Sequence, residues 1–427
     1  MQPSEHTSLT KRLRSTVRAA LIGTTALGFA SVGGVPVLAS ELDDLKAQME
    51  ILMRKVEELE AKQAETAKQA KEAKEAAQRL PLAAPQRLVT SGKDDVKLSV
   101  SGQVNRGVLF VDNGDKDDIF HVDNDNSSTR VRFIGAGRLD EDITVGTQIE
   151  VQFESNSTAD IRIDQDKAAG ANNFTERKLE LYVDSKRLGR LWVGQGDTAS
   201  NSSSEVDLSG TSVIAYSGIA DLAGGIAFSD NNVLGPRINQ AFSNFDGLSR
   251  DDRIRYDTPS FSGFKGSVSA VEGGAVDAAL RFSGEIAETK VVAAVAWADA
   301  SSKDANNFNQ YNGSVSVLFP MGISLTGALG KREVDSGGDD PLFYYVKLGY
   351  TFNAVDFGAT SVAVDYAAVD DLNQEGDEFQ SYGVFVVQNF DKIGTEFYLG
   401  ARNHELDRAG SNFDDIFAVL GGARVKF

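Results

Sequence analysis

Val96-Lys97-Leu98-Ser99-Val100-Ser101-Gly102-Gln103-Val104-Asn105 is the stretch whose reading decides the fold. Apolar or small residues at Val96, Leu98, Val100, Gly102 and Val104 alternate with polar ones at Lys97, Ser99, Ser101, Gln103 and Asn105. A period of two sends successive side chains to opposite faces of a pleated strand. The repeat recurs near 128–139, 143–155, 175–187, 189–199, 251–258, 263–272, 275–287 and 289–299. It recurs again near 310–319, 323–334, 341–352, 359–370, 379–391, 395–406 and 416–427, which makes sixteen segments with the first. Most have the length of a tilted membrane-crossing strand, roughly 10 residues, which needs apolar groups only at alternate positions. A mean hydropathy of −0.23 is therefore compatible with a membrane protein.

The connections sort by length. Those after even-numbered segments are mostly short (140–142, Leu188, 259–262, Glu288, 320–322, 392–394), whereas most after odd-numbered segments are long and acidic, the longest being 200–250. Short turns at one end and long loops at the other characterise outer-membrane barrels, and a soluble sandwich has no reason to sort its loops this way. The expected fold is an all-β transmembrane barrel of 16 antiparallel strands over 96–427, preceded by an α-helical coiled coil. An even strand count puts both barrel ends on the short-turn, periplasmic side.

Composition narrows the function. The 427 residues include 62 acidic and 43 basic side chains, a formal net charge of −19, no Cys and three His. That balance excludes nucleic acid as a partner, because phosphate binding needs concentrated Lys and Arg. The lack of Cys removes disulfides, thiolate metal sites and Cys nucleophiles. The acidic runs 112–125 and 335–340 read as solvated loops, and the first lacks EF-hand spacing. His6 lies in the N-terminal leader, His121 reads as a loop residue and His404 as part of a late strand, without a Ser motif or metal-ligand spacing nearby. No enzyme activity, metal or cofactor is expected.

Before the barrel, Lys11, Arg12, Arg14 and Arg18 precede an apolar, small-residue run over 19–38, and Val37-Leu38-Ala39 offers a cleavage site. This order is that of a secretory signal peptide, 1–39, leaving Ser40 as the first mature residue and a charge of about −22 by direct count. Leu42, Leu45, Met49, Leu52, Val56 and Leu59 then follow a 3-4 spacing, continued by smaller or polar residues to Leu80. Such spacing between charged flanks predicts a coiled-coil helix over 40–80, a periplasmic stalk reaching nearly ~60 Å. Pro81 and Pro85 open a linker, 81–95.

Several stretches resemble the trimeric general porins of Gram-negative bacteria. Ser101-Gly102-Gln103-Val104-Asn105-Arg106-Gly107 looks like their opening strand, and Asp123-Asn124-Asp125-Asn126-Ser127-Ser128-Thr129-Arg130 like their approach to strand two. Gly189-Arg190-Leu191-Trp192-Val193-Gly194 and Arg253-Ile254-Arg255-Tyr256-Asp257-Thr258-Pro259 fit strands five and six. The chain ends on Arg424-Val425-Lys426-Phe427, and a terminal aromatic, here Phe427, is the assembly signal such barrels present to the barrel assembly machinery. The stalk is similar to that of a subgroup of stalked porins. The resemblance implies a homotrimer in outer-membrane lipid, open to passive diffusion of ions and small hydrophilic solutes. It also leaves room for a channel selective for a sugar or an organic anion, or for an envelope spacer built on the stalk.

Such a channel works through lumen width and the charges that line it. Strand parity turns Val131, Phe133 and Leu139 to lipid, so Arg130, Arg132 and Arg138 face inward; it likewise puts Glu150 and Gln152, and Arg253 and Arg255, inside. An Arg facing lipid at mid-depth would cost about 2–4 kcal/mol, which favours this assignment over its mirror. Arg106 breaks the rule by sharing parity with Val104, as at a subunit interface or after a bulge. The resemblance implies that the loop after strand five folds inward. Its Glu205, Asp207, Asp221 and Asp230 would then oppose a constriction wall of Arg130, Arg132, Arg253 and Arg255. Gln103 and Gln195 stand where many relatives carry a basic residue, and the net acidity suggests weak cation preference.

Overall fold

The computed structural model describes residues 96–165, 174–300, 308–334 and 338–427. The expected signal peptide 1–39, coiled-coil helix 40–80 and linker 81–95 lie outside the described residues. No described helix is long and apolar enough to cross a membrane.

Sixteen strands follow one another in the barrel. They are β1 (Val96–Asp112), β2 in two runs (β2a, Asp117–Asp123; β2b, Arg130–Arg138), β3 (Ile143–Phe153), β4 (Phe174–Ser185) and β5 (Gly189–Asp197). After a long connection come β6 (Arg250–Asp257), β7 (Phe264–Val271), β8 (Val276–Ile286), β9 (Thr289–Asp299), β10 (Phe308–Leu318) and β11 (Ile323–Val334). β12 (Leu342–Val355), β13 (Gly358–Asp370), β14 (Glu378–Phe390), β15 (Thr395–Asp407) and β16 (Ile416–Lys426) complete the set. Each pairs antiparallel with the next, and β16 pairs with β1 from Gln103↔Lys426 to Asp112↔Phe417, closing the sheet.

Closure leaves no open edge, which lipid would not tolerate. Beyond the last ladder pair, Phe427 and Gly102 exchange backbone hydrogen bonds of 2.9 and 3.0 Å. The Phe427 ring lies where a Cβ on residue 102 would sit 2.6 Å from it, so only glycine fits there. The dyad pattern emerges as expected: Val100, Val104 and Val108 are exposed on the outer face, while Asn105, Leu109 and Val111 are buried on the inner one.

The acidic run 112–125 departs from its expected loop. β1 continues to Asp112, and Asp117–Asp123 returns beside it as β2a, which also places His121 in a strand. Phe120 and Val122 point inward and are buried there. Asp117, Asp118 and Asp123 had masked this short alternation. Arg106 does lie on the outer face, without a bulge in its pairing to β16; its guanidinium reaches Ser155 Oγ at 2.6 Å and Asp123 Oδ2 at 3.7 Å.

The protein's core sits inside the barrel. The connection between β5 and β6 carries a 3-10 turn (Ile219–Asp221), a hairpin (Ala227–Asp230 with Val233–Arg237) and one helical turn (Ile238–Ala241). Ile214, Ile219, Leu222, Phe228, Phe242 and Phe245 of this loop are buried against Phe343 of β12, Phe379 and Phe385 of β14 and Ile416 and Leu420 of β16. Phe242 meets Phe343 at 5.7 Å and Phe379 at 5.4 Å between ring centroids. Each such side chain contributes about 1.5–3 kcal/mol, so the loop is held as firmly as a core element. Polar stitches fix its register: Ser314 Oγ accepts from the Val206 N–H at 3.1 Å and Ser316 Oγ from the Leu208 N–H at 2.9 Å.

Two ion pairs are enclosed with the apolar groups: Arg402 of β15 with Asp365 of β13, at 2.7 Å, and one that ties the loop to the wall. Lys347 Nζ on β12 lies 2.7 Å from Asp207 Oδ2, with both side chains almost wholly out of water, and also donates to the Ala215 carbonyl at 2.7 Å. Truncating one partner leaves the other charge buried. Asp207→Ala should therefore cost roughly 3–5 kcal/mol, whereas Asp207→Leu combined with Lys347→Met should cost far less. Denaturant unfolding of the detergent-solubilised barrel measures both.

Candidate pore constriction

With the loop packed on β12–β16 and β1, the open lumen lies between the loop and the opposite wall, whose inward side chains are charged. Its centre is Glu150 on β3, a buried carboxylate. Arg132, directly across the β2b–β3 ladder, donates from Nε to Glu150 Oε2 at 2.6 Å. Arg130 lies 3.5 Å from Oε1, and Arg177 of β4 donates from Nε to the same oxygen at 2.7 Å and from Nη1 to Gln152 Oε1 at 2.7 Å. Three guanidiniums thus share one carboxylate, which leaves positive charge in excess.

Parity could not have found Arg177. Leu179, Leu181 and Val183 face outward on β4, so an unbroken strand would send Arg177 to lipid as well. The ladder instead shifts between Glu150↔Lys178 and Val151↔Glu176, and Arg177 is the extra residue of a bulge. The bulge re-aims it into the lumen, as bulges do beside functional sites. Lys178, next in sequence, also turns inward and pairs with Asp197.

The structure separates the sequence-derived wall residues. Arg130 and Arg132 belong to this cluster. Arg253 does not: it is buried, paired with Glu180, and donates to the carbonyls of Asp197 and Gly194 at 3.0 Å. Arg255 pairs with Asp257 Oδ1 at 2.8 Å and donates to the Asp197 and Thr198 carbonyls, clamping the root of the loop. Both side chains turn inward, but their charges are already spent on the wall.

The loop acids divide in the same way. Asp207 is the buried partner of Lys347 and faces no arginine of the constriction wall. Asp230 accepts from the Asn412 N–H at 3.0 Å, tying the hairpin to the loop before β16. Glu205 and Asp221 remain at the lumen, joined by Asp246, which sequence reading passed over. Asn244 donates to Glu205 at 3.1 Å, Tyr216 donates to Asp221, and the Ser204 and Ser202 N–H groups donate to Asp246 at 2.9 and 2.6 Å. Arg177 and Arg250 act electrostatically on Asp221, and Arg281 and Arg250 on Asp246, so the two rows face each other.

Enclosure raises all three loop acids. Burial, with Asp246 and Asp221 nearby, pushes Glu205 well above the usual carboxylate range. Burial and the neighbouring Asp125 raise Asp221 to about 8 despite the arginines, and burial raises Asp246 to about 6 against two backbone donors. His404 is buried beside Phe379 at 5.9 Å, and among the described residues no group of three His, Asp or Glu could hold a metal ion.

A closed sixteen-stranded barrel with an infolded loop and opposed rows of charge is the architecture of a diffusion pore. The Gram-negative porin family matches over residues 75–409, and the chain belongs to that family. Among solved structures, it resembles the anion-selective porin from Comamonas acidovorans, at 16% identity and a TM-score of 0.55, over 78% of this chain and 100% of that one. It also resembles OmpT, an outer membrane protein of Vibrio cholerae, at 12% identity and a TM-score of 0.52, over 78% and 98% of the two chains. No curated protein matches. The chain is an integral outer-membrane channel for passive diffusion.

The raised acids imply a pH dependence. Each loses its negative charge as pH falls through its raised value, while the arginines stay charged. Reversal potential in a salt gradient should thus move toward anion preference from pH 9 to pH 5, with most of the change near the value of about 8 for Asp221 and about 6 for Asp246. Bilayer recordings at fixed ionic strength check this.

Proposed function

We propose that the pore passes ions and small hydrophilic solutes through a transverse field and prefers anions at neutral pH. The observation that carries this reading is the sharing of the single Glu150 carboxylate by Arg130, Arg132 and Arg177. Ion preference follows the charge at the narrow zone, where the dielectric is low and solutes pass close by, more than the charge of the whole chain. The net acidity behind the expectation of weak cation preference is spread over solvated loops, where salt screens it. The opposed rows orient a dipolar solute, and the excess of guanidinium favours one with a carboxylate or phosphate. Arg132→Gln with Arg177→Gln should shift the reversal potential toward cations, and Glu205→Gln with Asp221→Asn should shift it toward anions at pH 9. Unchanged potentials in both would place selectivity elsewhere.

We further propose the signal peptide 1–39, the linker 81–95 and a homotrimer aided by a periplasmic coiled coil over 40–80, with Phe427 as the assembly signal. The heptad spacing from Leu42 to Leu59 supports the stalk. Leu52→Asp would bury a charge in its apolar seam, at several kcal/mol unless paired. It should lower the trimer fraction after mild detergent extraction without changing unitary conductance.

A further inference from the structure

The periplasmic rim has an unusual surface for a face turned to water. Each of the seven short turns carries one large apolar residue that is 60–81% exposed. Leu139, Ile286 and Met321 extend the outward parity of their strands, below Phe133, Phe282 and Phe319 respectively. Leu188, Phe261, Phe357 and Ile393 stand at the remaining turns. The described turns 113–116, 272–274 and 371–376 at the opposite end expose no large apolar residue, Leu372 being packed against the core; the exposed Val233 and Leu234 belong to the infolded loop's hairpin, and Ile119 and Phe174 to strands β2a and β4.

We propose that these turn tips insert into the inner phospholipid leaflet, seating the rim among lipid head groups. The first argument is continuity with the lipid-facing wall, since three of the tips prolong its apolar rows. The second is length. On β8 the outward apolar row runs from Val276 to Ile286. Ten residue steps of about 3.3 Å, tilted by about 40°, span about 25 Å, the height of the apolar band of such barrels. Without Ile286 the row falls about 5 Å short of that height. The third is charge. Arg187 and Lys392 directly precede the apolar turn residues Leu188 and Ile393. A basic side chain there can lay its stem on the tip and its charge at lipid phosphates. Arg187 also has an acid partner, Asp142 at 3.5 Å, but its side chain is still exposed. This inference rests on the barrel and is independent of the constriction.

The chain has no Cys, so single nitroxide labels can be placed without background. Leu139→Cys, Phe261→Cys and Met321→Cys, labelled in the full chain and reconstituted into phosphatidylethanolamine–phosphatidylglycerol vesicles, should be relaxed by oxygen and shielded from a water-soluble nickel complex. Leu325→Cys on the lipid face and Glu272→Cys in a polar turn supply the two reference values. Nickel accessibility at the three tips equal to that at residue 272 overturns the proposal. As a second readout, Leu139→Asp, Phe261→Asp and Met321→Asp combined should reduce insertion into these vesicles while leaving unitary conductance unchanged. Undiminished insertion also overturns it.

Discussion

The structure depends first on the requirement that no backbone donor or acceptor meet hydrocarbon unpaired. One unsatisfied group costs several kcal/mol in lipid, so a sheet crosses the membrane only if it closes on itself. Here closure falls to the two ends of the barrel sequence, β1 and β16, and their seam runs from Gln103↔Lys426 to Asp112↔Phe417. The seam explains two residues at once. Phe427 completes the ladder with its backbone and covers Gly102 with its ring, and residue 102 must lack a Cβ for that ring to approach.

Closure creates a second constraint, an interior too wide for wall side chains to fill. The loop between β5 and β6 resolves it asymmetrically. One half of the inner wall, β12 to β16 with β1, is apolar enough to bury the loop's Ile and Phe side chains. The other half keeps Arg, Lys, Glu and Asp facing the remaining space, arranged as ion pairs that are satisfied by one another and by loop carbonyls. The apolar contact holds the loop in place, and the held loop keeps its acids opposite the arginines. A field across the pore is therefore a consequence of packing on the far side of it.

Not every inward charge serves that field. Arg253 and Arg255 are bound into the wall and the loop root, and Asp207 is consumed by Lys347. Parity, which reports only the face, treats them like Arg130 and Arg132. What distinguishes them is whether a partner lies within reach, and apart from Asp257, two residues from Arg255, the deciding partners (Glu180, the carbonyls of Asp197 and Thr198, Lys347) sit far away in sequence. Arg177 is the converse case, excluded by parity and admitted by a bulge that is visible only once β3 is laid beside β4.

The sequence alone determined the architecture: sixteen alternating segments, sorted turn lengths and a long fifth connection are local properties, because side-chain alternation follows from the two-residue pleat itself. It missed β2a, where acids in the water above the membrane hide the alternation of Phe120 and Val122. It also passed over the apolar inner half-wall, since strands such as Ile416-Phe417-Ala418-Val419-Leu420 are apolar on both faces and parity does not separate lipid from core there. Only the tertiary structure decided which charges stay available to a passing solute. Availability depends on pairing across strands and on burial against the loop, and both are set by register and packing between residues the chain itself does not place side by side.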